Sequence, residues 1–268
     1  MDLREAGWLL FGLLFASGMA RGRMEEATAG AFRRSSERGT VRVASARSGA
    51  VGELFARSSV VSMQGTGVSI KALPLEMGSP NGPGAVVRLF CISLANSDLA
   101  GIPLRHVDAR IPDVRVDPGA LMRDARLKVR SAGRGVIRAS ISEAALAGLV
   151  ATRMPGLKDV VVTVTPTAVE VTGRMVLFGA TSRTTAVLRP FVTGTGDLSF
   201  EVIAATMNGS PAAAALVRGV EAAMNPALSP SRDLRLGLTL ALRGVQLLPG
   251  ELVLEAETAP IGTREGSR

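Results

Sequence analysis

From Asp233 to Arg243 every second residue is leucine: Leu234, Leu236, Leu238, Leu240 and Leu242 alternate with a set that includes Asp233, Arg235, Thr239 and Arg243. Side chains of a strand point to opposite faces in turn, so this run is a half-buried β-strand, about 30 Å long at ~3.3 Å per residue. The same period recurs at Val160, Val162 and Val164, at Val169, Val171, Met175 and Leu177, and at Leu198, Phe200, Val202 and Ala204. Thr165-Pro166-Thr167 separates the first two as a turn. Val86 to Leu94, Arg183 to Arg189 and Glu251 to Glu255 read as further strands. A chain with this many one-sided strands must build sheet and must cover its apolar face.

Two segments carry helical spacing. Leu146, Leu149, Val150 and Met154 fall on one face of a helix whose start is marked by Ser140 and Glu143 at capping-box spacing, or by Ser142 as the cap. Leu216, Val217, Val220 and Met224 form the stripe of a second helix, predicted to open with Ser210 as cap and Pro211 in its first turn and to stop at Asn225-Pro226. Shorter helices are expected at Gly49 to Arg57 and Pro118 to Ala125. The Gly/Pro-rich stretch Gly78 to Gly84 is short enough to be a hairpin loop. Strands, a helix, more strands, a second helix and closing strands lack the regular alternation of a parallel sheet. The order predicts a single α+β domain over residues 40–258, built on mainly antiparallel sheet.

Ahead of that domain, Trp8 to Ala20 is an apolar run of 13 residues, short of the roughly 20 that span a bilayer. Small Gly18 and Ala20 stand at cleavage spacing, although Asp2 and Glu5 offset Arg4. Residues 1–20 are therefore read as a signal peptide or a signal anchor, 21–39 as a polar linker and 259–268 as a flexible tail. Export would place Cys91 in an oxidising compartment, but it is the only cysteine and is read as a small buried hydrophobe.

The formal charge of +8 suggests nucleic acid at first. Yet Lys71, Lys128 and Lys158 are the only lysines among 31 basic residues, aromatics are 3% and tyrosine is absent. Arginine-rich coding without stacking residues favours an anionic membrane surface over nucleic acid as the partner. The inventory also removes most catalysis. His106 is the sole imidazole, no G-x-S-x-G elbow or phosphate-binding glycine loop occurs, and no metal or cofactor is expected. Asp108, Asp113 and Asp117 lie close in sequence, but Val107, Ala109 and Ile111 share one face, and after Pro112 the phase shifts so that Asp113, Arg115 and Asp117 become the solvated set. Alternating acid and arginine on an exposed face reads as cross-strand ion pairs.

The order of several short segments carries a resemblance. They are Thr40-Val41-Arg42-Val43, Gly49-Ala50-Val51-Gly52-Glu53-Leu54, Val60 to Val68, Asp113-Val114-Arg115-Val116-Asp117, Ile141-Ser142-Glu143-Ala144-Ala145-Leu146, Val171-Thr172-Gly173, Pro211 to Asn225 and Gly250 to Ala256. In that order they resemble the LmeA-like phospholipid-binding family of exported bacterial envelope proteins. The resemblance implies lipid binding, secretion to the periplasm or cell envelope and no catalytic residues; by analogy it implies a curved, tubular lipid-binding-like sheet wrapped around two or three helices.

Long one-sided strands with only two helices of about three turns to cover them could leave a groove for acyl chains. Its expected lining is Leu146, Leu149 and Val150 on the first helix, Leu216, Val217 and Val220 on the second, and Val171, Met175, Leu236 and Leu238 on strands. Arg183 and Arg189 are the candidate headgroup residues from their strand positions. The alternative is a closed β-rich core in a membrane-anchored structural or protein-interaction module.

Overall fold

The computed structural model describes residues 25–31, 33, 36–46, 57–70, 75–77, 84–117, 120, 123–124, 127–177, 180–233 and 239–260. In chain order the elements are β1 (Ser36–Ala46), β2 (Arg57–Ile70), β3 (Leu75–Met77), β4 (Ala85–Leu99), β5 (Ile102–Val116), β6 (Leu127–Ser131), β7 (Val136–Ser142), α1 (Glu143–Arg153), β8 (Leu157–Val164), β9 (Val169–Leu177), β10 (Ala180–Val192), β11 (Leu198–Met207), β12 (Ser210–Pro211), α2 (Ala214–Met224), α3 (Pro230–Asp233), β13 (Leu240–Leu248) and β14 (Glu251–Thr258). They form two sheets. The first runs β1-β2-β4-β5-β7-β14-β13, with β6 on β5 and β3 on β6; the second runs β12-β11-β10-β9-β8. All pairings are antiparallel except β2 with β4 and β3 with β6. The α+β class and the largely antiparallel sheet expected from the sequence are therefore present.

β4 and β5 form the backbone of the first sheet. Ala100 and Gly101, both at positive φ, turn the chain between them, and the Gly101 N–H donates to Asp98 Oδ1 at 2.8 Å. The expected phase shift in β5 is present: Val107, Ala109 and Ile111 are buried, then Val114 and Val116, while Asp113 and Arg115 are exposed. Asp113, at φ 53°, stands at the switch of faces, while β5 runs on through it in unbroken register with β4. Asp159, at φ 51°, sits instead at a register shift in β8.

Ser142 caps α1, accepting from the Ala145 N–H at 3.3 Å. Glu143 is not half of a capping box with Ser140, which is buried in β7; its Oε1 accepts from the Val164 N–H at 2.8 Å and ties the helix to the end of β8. Leu146 and Val150 are buried and Leu149 and Met154 pack on the core, as the stripe predicts. Ser142→Ala should therefore cost about 1 kcal/mol, read as a shift in urea midpoint at constant slope.

Five expectations are corrected. Ser210 and Pro211 do not open α2; they form β12 opposite Met207 and Thr206, across a turn made by Asn208 and Gly209 at positive φ. Asn-Gly is a strong hairpin signal and the pairing takes the serine that would have capped. α2 begins only at Ala214; its end at Met224, before Asn225-Pro226, is the predicted one. Ala204 is exposed, because a register shift opposite Val187 and Leu188 leaves Ile203 bulged and reverses the strand's phase. The strand expected from Asp233 starts at Leu240, with Asp233 itself in α3; Leu234, Leu236 and Leu238 lie outside the described residues. The Gly78 to Gly84 stretch does not close a hairpin, since β3 pairs with β6 and β4 runs parallel to β2. Cys91 is only half-buried.

Within the stretch read as a linker, residues 25–31 are helical, Ala27 packs on the core and β1 opens at Ser36. Residues 1–20, the tail from 261 and the helix expected at Gly49 to Arg57, apart from Arg57, lie outside the described residues; of Pro118 to Ala125, positions 120, 123 and 124 are helical.

The two sheets share one core. α1 lies mainly on β8 and reaches β5 and β7, while α2 lies on β11 and β10 approaches β13. The turn between β10 and β11 also bonds to β13: the Gly196 carbonyl accepts from the Leu242 N–H at 3.0 Å. Gly196 has φ 79°, and a Cβ there would stand 2.7 Å from that of Ala241.

Candidate functional site

The inner face of the first sheet carries an apolar pocket. Its walls are Ile92, Leu94 and Leu99 of β4, Ile102, Leu104, Val107, Ala109 and Ile111 of β5, Ile137 and Ala139 of β7, Leu254, Ala256 and Thr258 of β14, Leu240 and Leu242 of β13, and Leu228 and Pro230 beside α3. The register explains why they meet: Ile92 stands opposite Ala109, and Ala109 opposite Ile137. Among the described residues of the wall Thr258 is the only polar side chain, and its Oγ1 already accepts from the Gly135 N–H at 2.8 Å. Gly135 permits that approach, since a Cβ there would lie 2.9 Å from both Ile111 Cγ1 and Thr258 Oγ1.

The cavity volume of the pocket is only about 80 Å³, which makes it a narrow slot. Water entering it meets a single polar side chain among the described residues, too few partners to hold it, so the slot favours a slim hydrocarbon over solvent or a polar ligand.

A strap from Asn225 to Asp233 brings Leu228 and Pro230 to the slot, and it is firmly anchored. Asn225 acts as a surrogate strand against the free edge of β11, its Oδ1 accepting from the Phe200 N–H and its Nδ2 donating to the Phe200 carbonyl, both at 2.7 Å. Glu221 Oε1 accepts from the Val202 N–H at 3.0 Å. The Ala227 and Leu228 amides donate to the Leu198 carbonyl, and the Leu198 N–H donates to the Leu228 carbonyl at 2.8 Å. Buried Ser229 donates through Oγ to Asp197 Oδ1 at 2.5 Å and through its N–H to Asp233 Oδ2 at 2.8 Å.

Burial pushes the Asp233 carboxyl up, but the hydrogen bonds from Arg232 and the Ser229 N–H, with the charges of Arg232 and Arg153, outweigh it and hold the group below its ordinary 3.8. A depressed carboxyl contributes stability that is complete above the unfolded value and lost as pH falls through the native one. The unfolding free energies of wild type and Asp233→Asn should therefore differ by a constant amount above pH 3.8, and the gap should close below it.

Of the ten residues expected to line a groove, eight lie among the described residues, and none of these eight lines this slot. Leu146, Val150, Val171 and Val220 are buried, Leu149 and Met175 pack against the core and Leu216 and Val217 are half-buried. Leu236 and Leu238 lie outside the described residues. The alternation of Val107, Ala109 and Ile111, with Leu240 and Leu242, is the sequence signal that marks the slot's face. Arg183 is exposed on the outer face of β10, and Arg189, on the same strand, pairs with Glu201 at 3.5 Å.

The remaining polar candidates are paired and dispersed. His106 Nε2 and Asp108 Oδ2 are 2.7 Å apart, both half exposed, and Arg130 Nη2 donates to Asp117 Oδ2 at 2.6 Å. On the sheet's opposite side His106 and Asp108 border a polar cleft with Arg105, Arg138 and Glu251, where acids and cations balance. Among the described residues no helix is long and apolar enough to cross a membrane.

Comparison with curated proteins and with solved structures gives no match. A family model described as LmeA-like phospholipid-binding matches residues 90–257, from within β4 to the end of β14. The strands before Phe90 precede the match, and every residue of the slot except Thr258 falls inside it. With more than half its length matched, slot included, this chain belongs to the LmeA-like phospholipid-binding family.

Proposed function

We propose that the protein is an exported, non-enzymatic phospholipid-binding or lipid-shuttling protein of the bacterial cell envelope that holds acyl chains in the apolar slot of the first sheet. The observation that carries this reading is the slot's wall: among the described residues, seventeen whose one polar side chain is already hydrogen-bonded. Each methylene moved from water into such a wall contributes about 0.8 kcal/mol, so a chain of ordinary length is held without any polar contact.

We take the first sheet to curve about α1 and the 225–233 strap, as in a tubular lipid-binding fold, and place the acyl chains against β4, β5, β7, β13 and β14 rather than against the helix stripes. The apolar run Trp8 to Ala20 supports export, with the run either removed or kept as an anchor. The excess of arginine over acid favours anionic phospholipid as cargo or as the surface visited.

Native mass spectrometry of protein isolated from cells in gentle conditions should show a population heavier by one phospholipid. An apo mass throughout, with no uptake from anionic vesicles, would overturn the reading; a lipid-free protein recovered with a defined protein partner would select the interaction module instead.

A further inference from the structure

The outer face of the second sheet carries charge that folding does not explain. Its register sets Lys158 of β8 opposite Arg174 of β9, and Arg174 opposite Arg183 of β10. Three exposed cations thus stand side by side across three strands. Directly opposed like charges destabilise a sheet. Among the described residues a single acid adjoins the row: Asp159 pairs with Arg174, which leaves an excess of two positive charges. Glu170 stands further along the face, and Glu201 is occupied by Arg189.

Each flank carries one exposed valine beside threonine. On one side Val161, opposite Thr172, is 61% exposed; on the other Val176, opposite Thr181, is 59% exposed. Single exposed valines are ordinary, but two that bracket a cation row make a surface of defined chemistry. Guanidinium and ammonium groups donate to phosphate oxygens, while short aliphatic side chains enter the boundary between headgroups and acyl chains.

We infer that this face of the second sheet is the surface on which the protein docks to an anionic phospholipid bilayer, with Lys158, Arg174 and Arg183 donating to lipid phosphates. The inference rests on the lipid-binding reading only in taking a membrane as the partner; the docking surface and the acyl slot lie on different sheets.

The test is flotation with phosphatidylcholine vesicles with or without phosphatidylglycerol, at low and high salt. Wild type should float with the anionic vesicles and release them as salt rises. Each cation at such a surface changes affinity about fivefold, so K158Q/R174Q/R183Q should bind about a hundredfold more weakly. R115Q/R134Q/R243Q, which removes equal charge from the first sheet, should bind as wild type does. Asp159→Asn, which releases Arg174, should bind about fivefold more tightly, an effect that misfolding cannot produce.

Equal loss in the two triple variants, or wild-type binding indifferent to phosphatidylglycerol, would overturn the inference. Uptake of lipid from detergent micelles, read by native mass spectrometry, should be unchanged in K158Q/R174Q/R183Q. A wild type that loads from micelles but ignores vesicles overturns the docking surface alone, whereas one that floats with vesicles but never carries lipid supports that surface and overturns the acyl slot.

Discussion

Replacing Ala109 with phenylalanine is expected to empty the protein of lipid while leaving it folded. Ala109 lies mid-strand in β5, with Ile92 opposite on one side and Ile137 on the other, all three in the slot wall. A phenyl ring there would occupy the length of about four methylenes. At about 0.8 kcal/mol each, their exclusion removes roughly 3 kcal/mol of binding, about a hundredfold in affinity. The ring enters empty space, so stability should move by no more than about 1–2 kcal/mol. The same substitution at Ala186, buried in the second sheet away from the slot, should lower stability instead and leave the lipid affinity of the folded fraction unchanged. Mass spectrometry for bound lipid and urea unfolding for stability separate the two.

The second large effect is on the strap. Asn225→Ala removes both hydrogen bonds that its amide makes to Phe200, a residue only 2% exposed. Each buried backbone group left without a partner costs about 1–3 kcal/mol, so a loss of about 2–4 kcal/mol is expected in urea unfolding. Asn225→Asp should be no better, because a carboxylate keeps the acceptor for the Phe200 N–H but turns a second acceptor toward the Phe200 carbonyl. Since Leu228 and Pro230 reach the slot from this strap, the variants should also release lipid faster. Unchanged stability in Asn225→Ala would show that water replaces the amide and that the strap is not anchored there.

Local periodicity carried much of this architecture. The reversal of faces after Pro112 is visible as a change in where valine and arginine fall, and Asp113 at positive φ stands at the switch. Leu146 and Val150 could be placed in the core from helical spacing, and Asn225-Pro226 marked the end of α2. Misplaced features depended on pairing between distant segments. Ser210 has every local property of a helix cap, and only its position opposite Met207 makes it a strand residue. The bulge at Ile203 turns Ala204 outward because of the register of β10, which nothing inside β11 encodes.

The slot illustrates the same division. Val107, Ala109 and Ile111 announce an apolar face, but helical stripes announce apolar faces too, and the sequence does not say which faces cover each other. α1 settles mainly on β8 and α2 on β11. The inner face of β4, β5, β7, β14 and β13 is left to narrow contacts with Leu228 and Pro230, and this leaves the slot. Arg183 could be singled out as an exposed strand cation; that Lys158 and Arg174 stand beside it follows only from register.

The most direct measurement is photocrosslinking with a phospholipid that carries a diazirine along its acyl chain, followed by peptide mapping. The label is expected on β4, β5, β13 and β14, at residues such as Ile92, Leu104, Val107, Leu242 and Leu254, and to be lost in Ala109→Phe. Label concentrated on Leu216, Val217 and Val220 of α2, or undiminished in Ala109→Phe, would contradict the assignment of acyl chains to the first sheet.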